Sequence, residues 1–163
     1  KRTGKSLTLS DLLDEIPVDA ARYFFNSRAA ETQMEFDLDL AVKQDSDNPL
    51  YYCQYAHARI CSLLRKMEEE DLTVLSEEEE LALVKQISLL PEEIIGAAAD
   101  RDPSRLNKYA VALCAQFHRF YNACRIKEAE DEVRDARLVL CRAARQTIYN
   151  VLTMIGVEAP EHM

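Results

Sequence analysis

Only three glycines and five prolines punctuate 163 residues, and that scarcity constrains the fold more than any other feature. An all-β sandwich needs a turn signal roughly every 8 to 12 residues, and this chain cannot supply them. Helix is the default, supported by the abundance of Ala, Leu, Glu and Arg. Hydrophobic residues make up 48% of the chain and charged residues 30%. A core is therefore available, and disordered or collagen-like classes do not fit. A chain of this length buries roughly 68 to 70% of its unfolded surface. No apolar run approaches the roughly 18 residues that span a bilayer, and the N-terminus lacks the apolar stretch of a signal peptide. The expectation is a soluble, cytoplasmic protein. Five cysteines, an odd number with no Cys-x-x-Cys pair, point to reduced core thiols rather than a disulfide framework. The polar opening KRTGKS, beginning at Lys1, reads as the interior of a longer chain.

The net charge of −9 disfavours a polyanionic partner until it is resolved by segment. Residues 1–67 carry nine Lys or Arg against ten Asp or Glu, residues 68–102 two against twelve, and residues 103–163 nine against seven. The acidity is local, so a basic face elsewhere remains open to nucleic acid.

Leu9 to Ile16 reads as a short helix with Ser10 as its N-cap, interrupted by Pro17, and Val18 to Ala30 as the next helix. FDLDLAV alternates like a strand, but a lone strand has nothing to pair with. It is expected to be an extended piece turning into a short helix. Asn48-Pro49 opens a long helix to about Glu70, and Ser76 with Glu79 has the form of a capping box before a helix to about Leu90. Pro91 starts another helix, Asp102-Pro103 caps the next, and EAEDE separates that one from a last helix ending at Gly156. The expected architecture is an all-α, antiparallel helix bundle with short connections.

Catalytic signatures are thin. The chain has no glycine-rich phosphate loop, no Gly-x-Ser-x-Gly elbow and no His-Glu-x-x-His. Cys53, His57 and Cys61 recur at helical spacing, as do Cys114 and His118. Such thiols are common core residues, and no metal is expected. The carboxylates at 68–71 and 77–80 read as solvated faces or turns.

The helix after Pro49 is more informative. Cys53, Ala56, Ile60, Leu63, Leu64 and Met67 fall in one apolar stripe. Tyr52, Tyr55, Arg59, Ser62 and Lys66 form a second stripe roughly 120° away. Two aromatic faces in line with two cations can stack an unpaired base and hold its phosphate. The competing reading is that the tyrosines flank the core while Arg59 pairs with a carboxylate. The last helix repeats the pattern, with Arg134, Arg142, Arg145 and Tyr149 opposite its apolar side. Guanidinium groups there suit phosphate contacts, and a solvated face paired with glutamates is the alternative.

The succession KRTGKSLTLSDLLDEI, DAARYFF, FDLDLA, NPLYYCQYAHARICSLL, SRLNKYA, FHRFYNACRI, DARLVL and GVEAPEHM resembles the C-terminal part of bacterial arginyl-tRNA synthetase. The resemblance covers essentially the whole chain. Its most specific pieces are YYCQYAHAR, the DARL signature of the DALR-type anticodon-binding domain, and the terminal methionine. It implies that residues 1–47 are the tail of a class I catalytic domain with its connecting helices, and that 48–163 are the anticodon-binding helical bundle. Lys1 resembles the end of the KMSKS-like signature. The rest of that signature, the HIGH-type sequence and the arginine pocket are missing, so this chain alone is expected not to aminoacylate. ATP and magnesium belong to the parent enzyme, with no cofactor bound by the fragment. The implied partner is the anticodon stem and loop of arginine tRNA, with no membrane and no DNA. Tyr52, Tyr55 and Arg59 match positions that meet the unstacked anticodon loop, and Met163 closes the same region. Lys66, Arg142, Arg145 and Tyr149 join the candidate set on position and chemistry, as do Tyr109 and Asn122. The other readings are a helical protein-interaction bundle and the anticodon-binding domain of another class I synthetase, which YAHAR and the terminal methionine disfavour.

Overall fold

The computed structural model describes residues 8–29, 31–64 and 73–163, and every regular element among them is helical. The helices are α1 (Leu9–Glu15), α2 (Val18–Asn26), α3 (Leu38–Val42), α4 (Pro49–Leu64), α5 (Glu78–Ser88), α6 (Leu90–Asp100), α7 (Ser104–Ala123) and α8 (Asp131–Met154). A short 3-10 turn, Ile126–Glu128, joins the last two.

Local chemistry sets most of these boundaries. Asn48 accepts the Leu50 N–H at 3.0 Å on Oδ1 and donates from Nδ2 to the Lys43 carbonyl at 2.8 Å, so it caps α4 and fixes the loop before it. Asp37 caps α3 by accepting the Leu40 N–H at 3.0 Å, which makes the second half of FDLDLAV helical as expected. Asp102 accepts the Ser104 N–H at 3.0 Å ahead of α7. Past α8, Gly156 takes φ +73° so that the Val157 N–H reaches the Leu152 carbonyl at 2.9 Å, a left-handed closure that suits glycine.

Three boundaries differ from expectation. The cap of α1 is Thr8, not Ser10: Thr8 Oγ1 accepts the Asp11 N–H and the Asp11 carboxylate accepts the Thr8 N–H, at 3.2 and 2.8 Å. Ser10 has Leu13 three residues on, which cannot reciprocate. Helix α2 stops at Asn26 rather than Ala30, because Ser27 Oγ turns back to donate to the Phe24 carbonyl at 2.6 Å. The box before α5 lies one residue later than the Ser76–Glu79 reading. Glu80 Oε2 accepts the N–H groups of both Ser76 and Glu77 at 2.9 Å, and Glu80 itself is buried against Arg137.

Helix α7 packs against α4, α5, α6 and α8, and α4 also pairs with α8. Leu113, Phe117 and Phe120 of α7 interlock with Cys53, Ala56 and Ile60 of α4, Leu83 of α5, and Leu140, Ile148 and Val151 of α8 in one buried cluster. Tyr23 of α2 belongs to the same cluster, and its carbonyl accepts from Asn107 Nδ2 at 3.1 Å. Helix α2 is therefore seated on the bundle. All five cysteines are buried, and burial pushes the Cys141 thiol up to about 12. Among the described residues, no helix is long and apolar enough to cross a membrane.

Candidate nucleic-acid interface

The aromatic residues at the start of α4 are separated by the helix period onto two partners. Tyr55 is 41% exposed and lies nearly parallel to Tyr51, one turn earlier, with 11° between the planes and 6.1 Å between the ring centroids. Tyr52 is half-buried and meets the His118 ring of α7 at 5.0 Å. Together with Ser46 and Asn122 these residues line an open cavity of about 500 Å³ between α4 and α7. Arg59 follows on the same side of α4. Its Cζ lies 4.2 Å from the centroid of the Tyr121 ring, a cation–π contact, and it pairs with no carboxylate among the described residues. The ring thus holds the guanidinium in place. Burial pushes the Tyr52 hydroxyl up, so the ring stays neutral at physiological pH.

The α8 residues lie on the other flank of α4. Tyr149, exposed, meets His57 at 6.1 Å between rings, and the Arg145 charge acts on the same histidine. Tyr52, Tyr55 and Arg59 instead face α7, so the two basic-aromatic stripes do not merge into one surface. Arg142 and Arg145 are half-buried and form no ion pair among the described residues, whereas Arg134 is engaged by Asp131 at 2.6 Å and Asp135 at 3.2 Å.

The C-terminal tail crosses α4 between these flanks. Gln54 Nε2 donates to the Glu158 carbonyl at 3.0 Å, the Glu158 N–H donates to Asp19 at 3.1 Å, and His57 Nδ1 donates to the Pro160 carbonyl at 3.0 Å. This route brings Met163 to a second cavity, of about 540 Å³, whose wall includes Tyr51, Gln54, Leu50 and Lys43. Tyr51 lines both cavities. Met163 therefore lies next to the tyrosine cavity, across Tyr51 from it.

Tyr109 is not available to a ligand: it is buried, and its hydroxyl donates to the Gln86 carbonyl at 2.9 Å. Lys1 and Lys66 lie outside the described residues. Cys61 Sγ lies 3.7 Å from His57 Nδ1, but Cys53 does not join them. Cys53 contacts Cys114 of α7 while His57 bonds the tail, and among the described residues no three His, Cys, Asp or Glu side chains gather as a metal would require. The sequence does not mark Tyr51, which stands one place outside the stripe of Tyr52, Tyr55 and Arg59, and it offers His118 only by its spacing from Cys114, because His118 meets α4 only through the tertiary fold.

A helical bundle with an aromatic cavity beside a stacked guanidinium has the makings of an RNA-binding module. The model of the DALR anticodon binding domain matches residues 53–163, and the chain belongs to that family. Over its full length the chain is 47% identical to an arginine–tRNA ligase of Acetivibrio thermocellus, of which it covers 31%. A Campylobacter jejuni structure assigned as an arginyl-tRNA synthetase superposes on the whole chain with a TM-score of 0.89 at 31% identity, over 37% of that protein. The arginyl-tRNA synthetase of Thermus thermophilus does so with a TM-score of 0.81 at 26% identity, over 29% of its length. The chain thus spans about 31% of the length of the curated relatives it matches.

Proposed function

We propose that this chain is the anticodon-recognition module of an arginine–tRNA ligase and docks the anticodon stem and loop of arginine tRNA. The observation that carries the reading is the cavity of Tyr51, Tyr52, Tyr55, His118 and Asn122 beside Arg59, in a chain of the anticodon-binding family. Aromatic walls accept a base that has left its stack, and a guanidinium held on Tyr121 loses little freedom when it meets a phosphate. Arg142, Arg145 and Tyr149 take backbone contacts on the other flank of α4. Met163 closes the loop side through the tail that Gln54 and His57 hold in place.

In this reading the parent enzyme joins arginine to its tRNA through an arginyl-adenylate, using ATP and magnesium, in the cytoplasm. The bundle from 48 to 163 contributes binding, residues 1–47 connect it to the catalytic domain, and the chain by itself forms no aminoacyl-tRNA. The test is binding of the purified chain to arginine tRNA and to a non-cognate tRNA at two salt concentrations. Preference for arginine tRNA that persists at the higher salt supports the assignment. Equal, purely salt-governed binding or no binding at all overturns it.

A further inference from the structure

The cavity between α4 and α7 is lined chiefly by two kinds of side chain from different helices, with Ser46 of the loop before α4 completing the lining. Its aromatic walls are Tyr51, Tyr52 and Tyr55 of α4, and each offers a π-face that any base can stack on. Stacking alone does not tell one base from another. Besides the Ser46 hydroxyl, the groups that can do so come from α7, where His118 and Asn122 sit one helical turn apart and both line the cavity. Asn122 is exposed, and its carboxamide makes no hydrogen bond among the described residues. It is free to present a donor and an acceptor side by side, the pattern that matches a base edge. Among the described residues, His118 Nε2 is buried with no hydrogen-bond partner, which is uncommon for a buried polar atom and costs free energy. Burial, and then the Arg59 charge, hold His118 below the usual histidine range, so its ring is neutral at pH 7 and keeps one nitrogen as an acceptor.

We propose that His118 and Asn122 are specificity-determining residues that read the hydrogen-bonding edge of a single unstacked nucleobase seated between the α4 tyrosines. The assignment rests on the anticodon-recognition reading and refines it. Affinity at this position comes from the YYCQY turn of α4, and identity comes from the FHRFYN turn of α7. A site built to hydrogen-bond one edge rejects a base that leaves those groups unpaired.

The experiment titrates the full chain with the anticodon stem-loop hairpin of arginine tRNA and with hairpins carrying one changed loop base at a time. Wild type is compared with Asn122→Ala and His118→Phe, the latter keeping a ring against Tyr52 while removing both nitrogens, with thermal melts of both variants as the folding control. Asn122→Ala should lose about tenfold in affinity for the arginine hairpin, and its discrimination should collapse at one loop position while the others are kept. His118→Phe should narrow discrimination at that same position. If the wild type discriminates among hairpins and both folded variants discriminate equally well, this assignment is wrong while anticodon recognition stands. If the wild type binds all hairpins alike, anticodon recognition fails and takes this assignment with it.

Discussion

Tyr52 and Tyr55 differ in what an alanine removes. Tyr55 gives up an exposed ring stacked on Tyr51, whereas Tyr52 also gives up its contact with His118. Loss of a base-stacking face is worth roughly 1 to 3 kcal/mol, about fivefold to over a hundredfold in affinity. Both substitutions should weaken arginine tRNA more than a non-cognate tRNA while leaving the salt dependence nearly unchanged, as titrations of each variant against both tRNAs will read. Arg142 and Arg145 should behave oppositely. Neutralising either should weaken all tRNAs alike and lower the salt slope by roughly one. The histidines supply a pH dependence. Burial holds both His57 and His118 below the usual value, helped at His57 by Arg145 and at His118 by Arg59 and opposed at His57 by the Pro160 carbonyl and Glu161. The unfolded chain therefore binds protons that the folded chain refuses. The stability from keeping the rings neutral is complete above a pH of about 6.5 and is lost as pH falls below it toward the lowered folded values. Urea melts between pH 7.5 and 5 should show the fall, and His118→Phe should flatten part of it. Tyr52, Tyr55 and Arg59 were visible in the sequence because helical spacing alone places them on one side. The convergence of His118 and Asn122 on them was not, since it depends on how α7 crosses α4.

At the level of elements, the most buried ion pair among the described residues joins Glu80 to Arg137. Arg137 Nε donates to Glu80 Oε1 at 2.6 Å, Glu80 is 1% exposed, and its other oxygen caps the start of α5. Arg137 belongs to the DARL segment, so that signature ties α8 to α5 and does not point at the tyrosine cavity. Replacing Glu80 by alanine strands a nearly buried guanidinium and uncaps α5, with an expected loss of about 3 to 5 kcal/mol measured by denaturant unfolding. The end of α6 holds the opposite opportunity. Arg101 sits at φ +53°, a conformation that glycine adopts without strain, and Arg101→Gly should raise stability by up to about 1 kcal/mol in the same assay. Caps at Asn48, Asp102 and Gly156 were legible because each bonds within a few residues. The start of α5 was misplaced by one residue because its capping glutamate is chosen by a partner 57 residues away.

For the molecule as a whole, the charge is sorted by helix. The described part of the acidic segment forms α5 and α6, which pack chiefly on α7 and α8 and line none of the tyrosine cavity. The cavity, Arg59 and the tail at Met163 gather around α4 instead. An all-helical bundle was legible from glycine and proline scarcity and from the spacing of apolar residues. The course of the tail was not, because it is held by side-chain bonds from Asp19, Gln54 and His57 to its backbone, which leave no periodic pattern. The most direct measurement of loop binding is the affinity of this chain for the arginine tRNA anticodon hairpin against a hairpin with the same stem and a scrambled loop, across a range of salt. If α4 and α7 bind the unstacked anticodon loop, the arginine loop binds more tightly at every salt concentration, with parallel salt slopes and an advantage that Tyr52→Ala largely removes. Coincident curves for the two hairpins would show that the chain binds only the stem's phosphates and contradict loop binding.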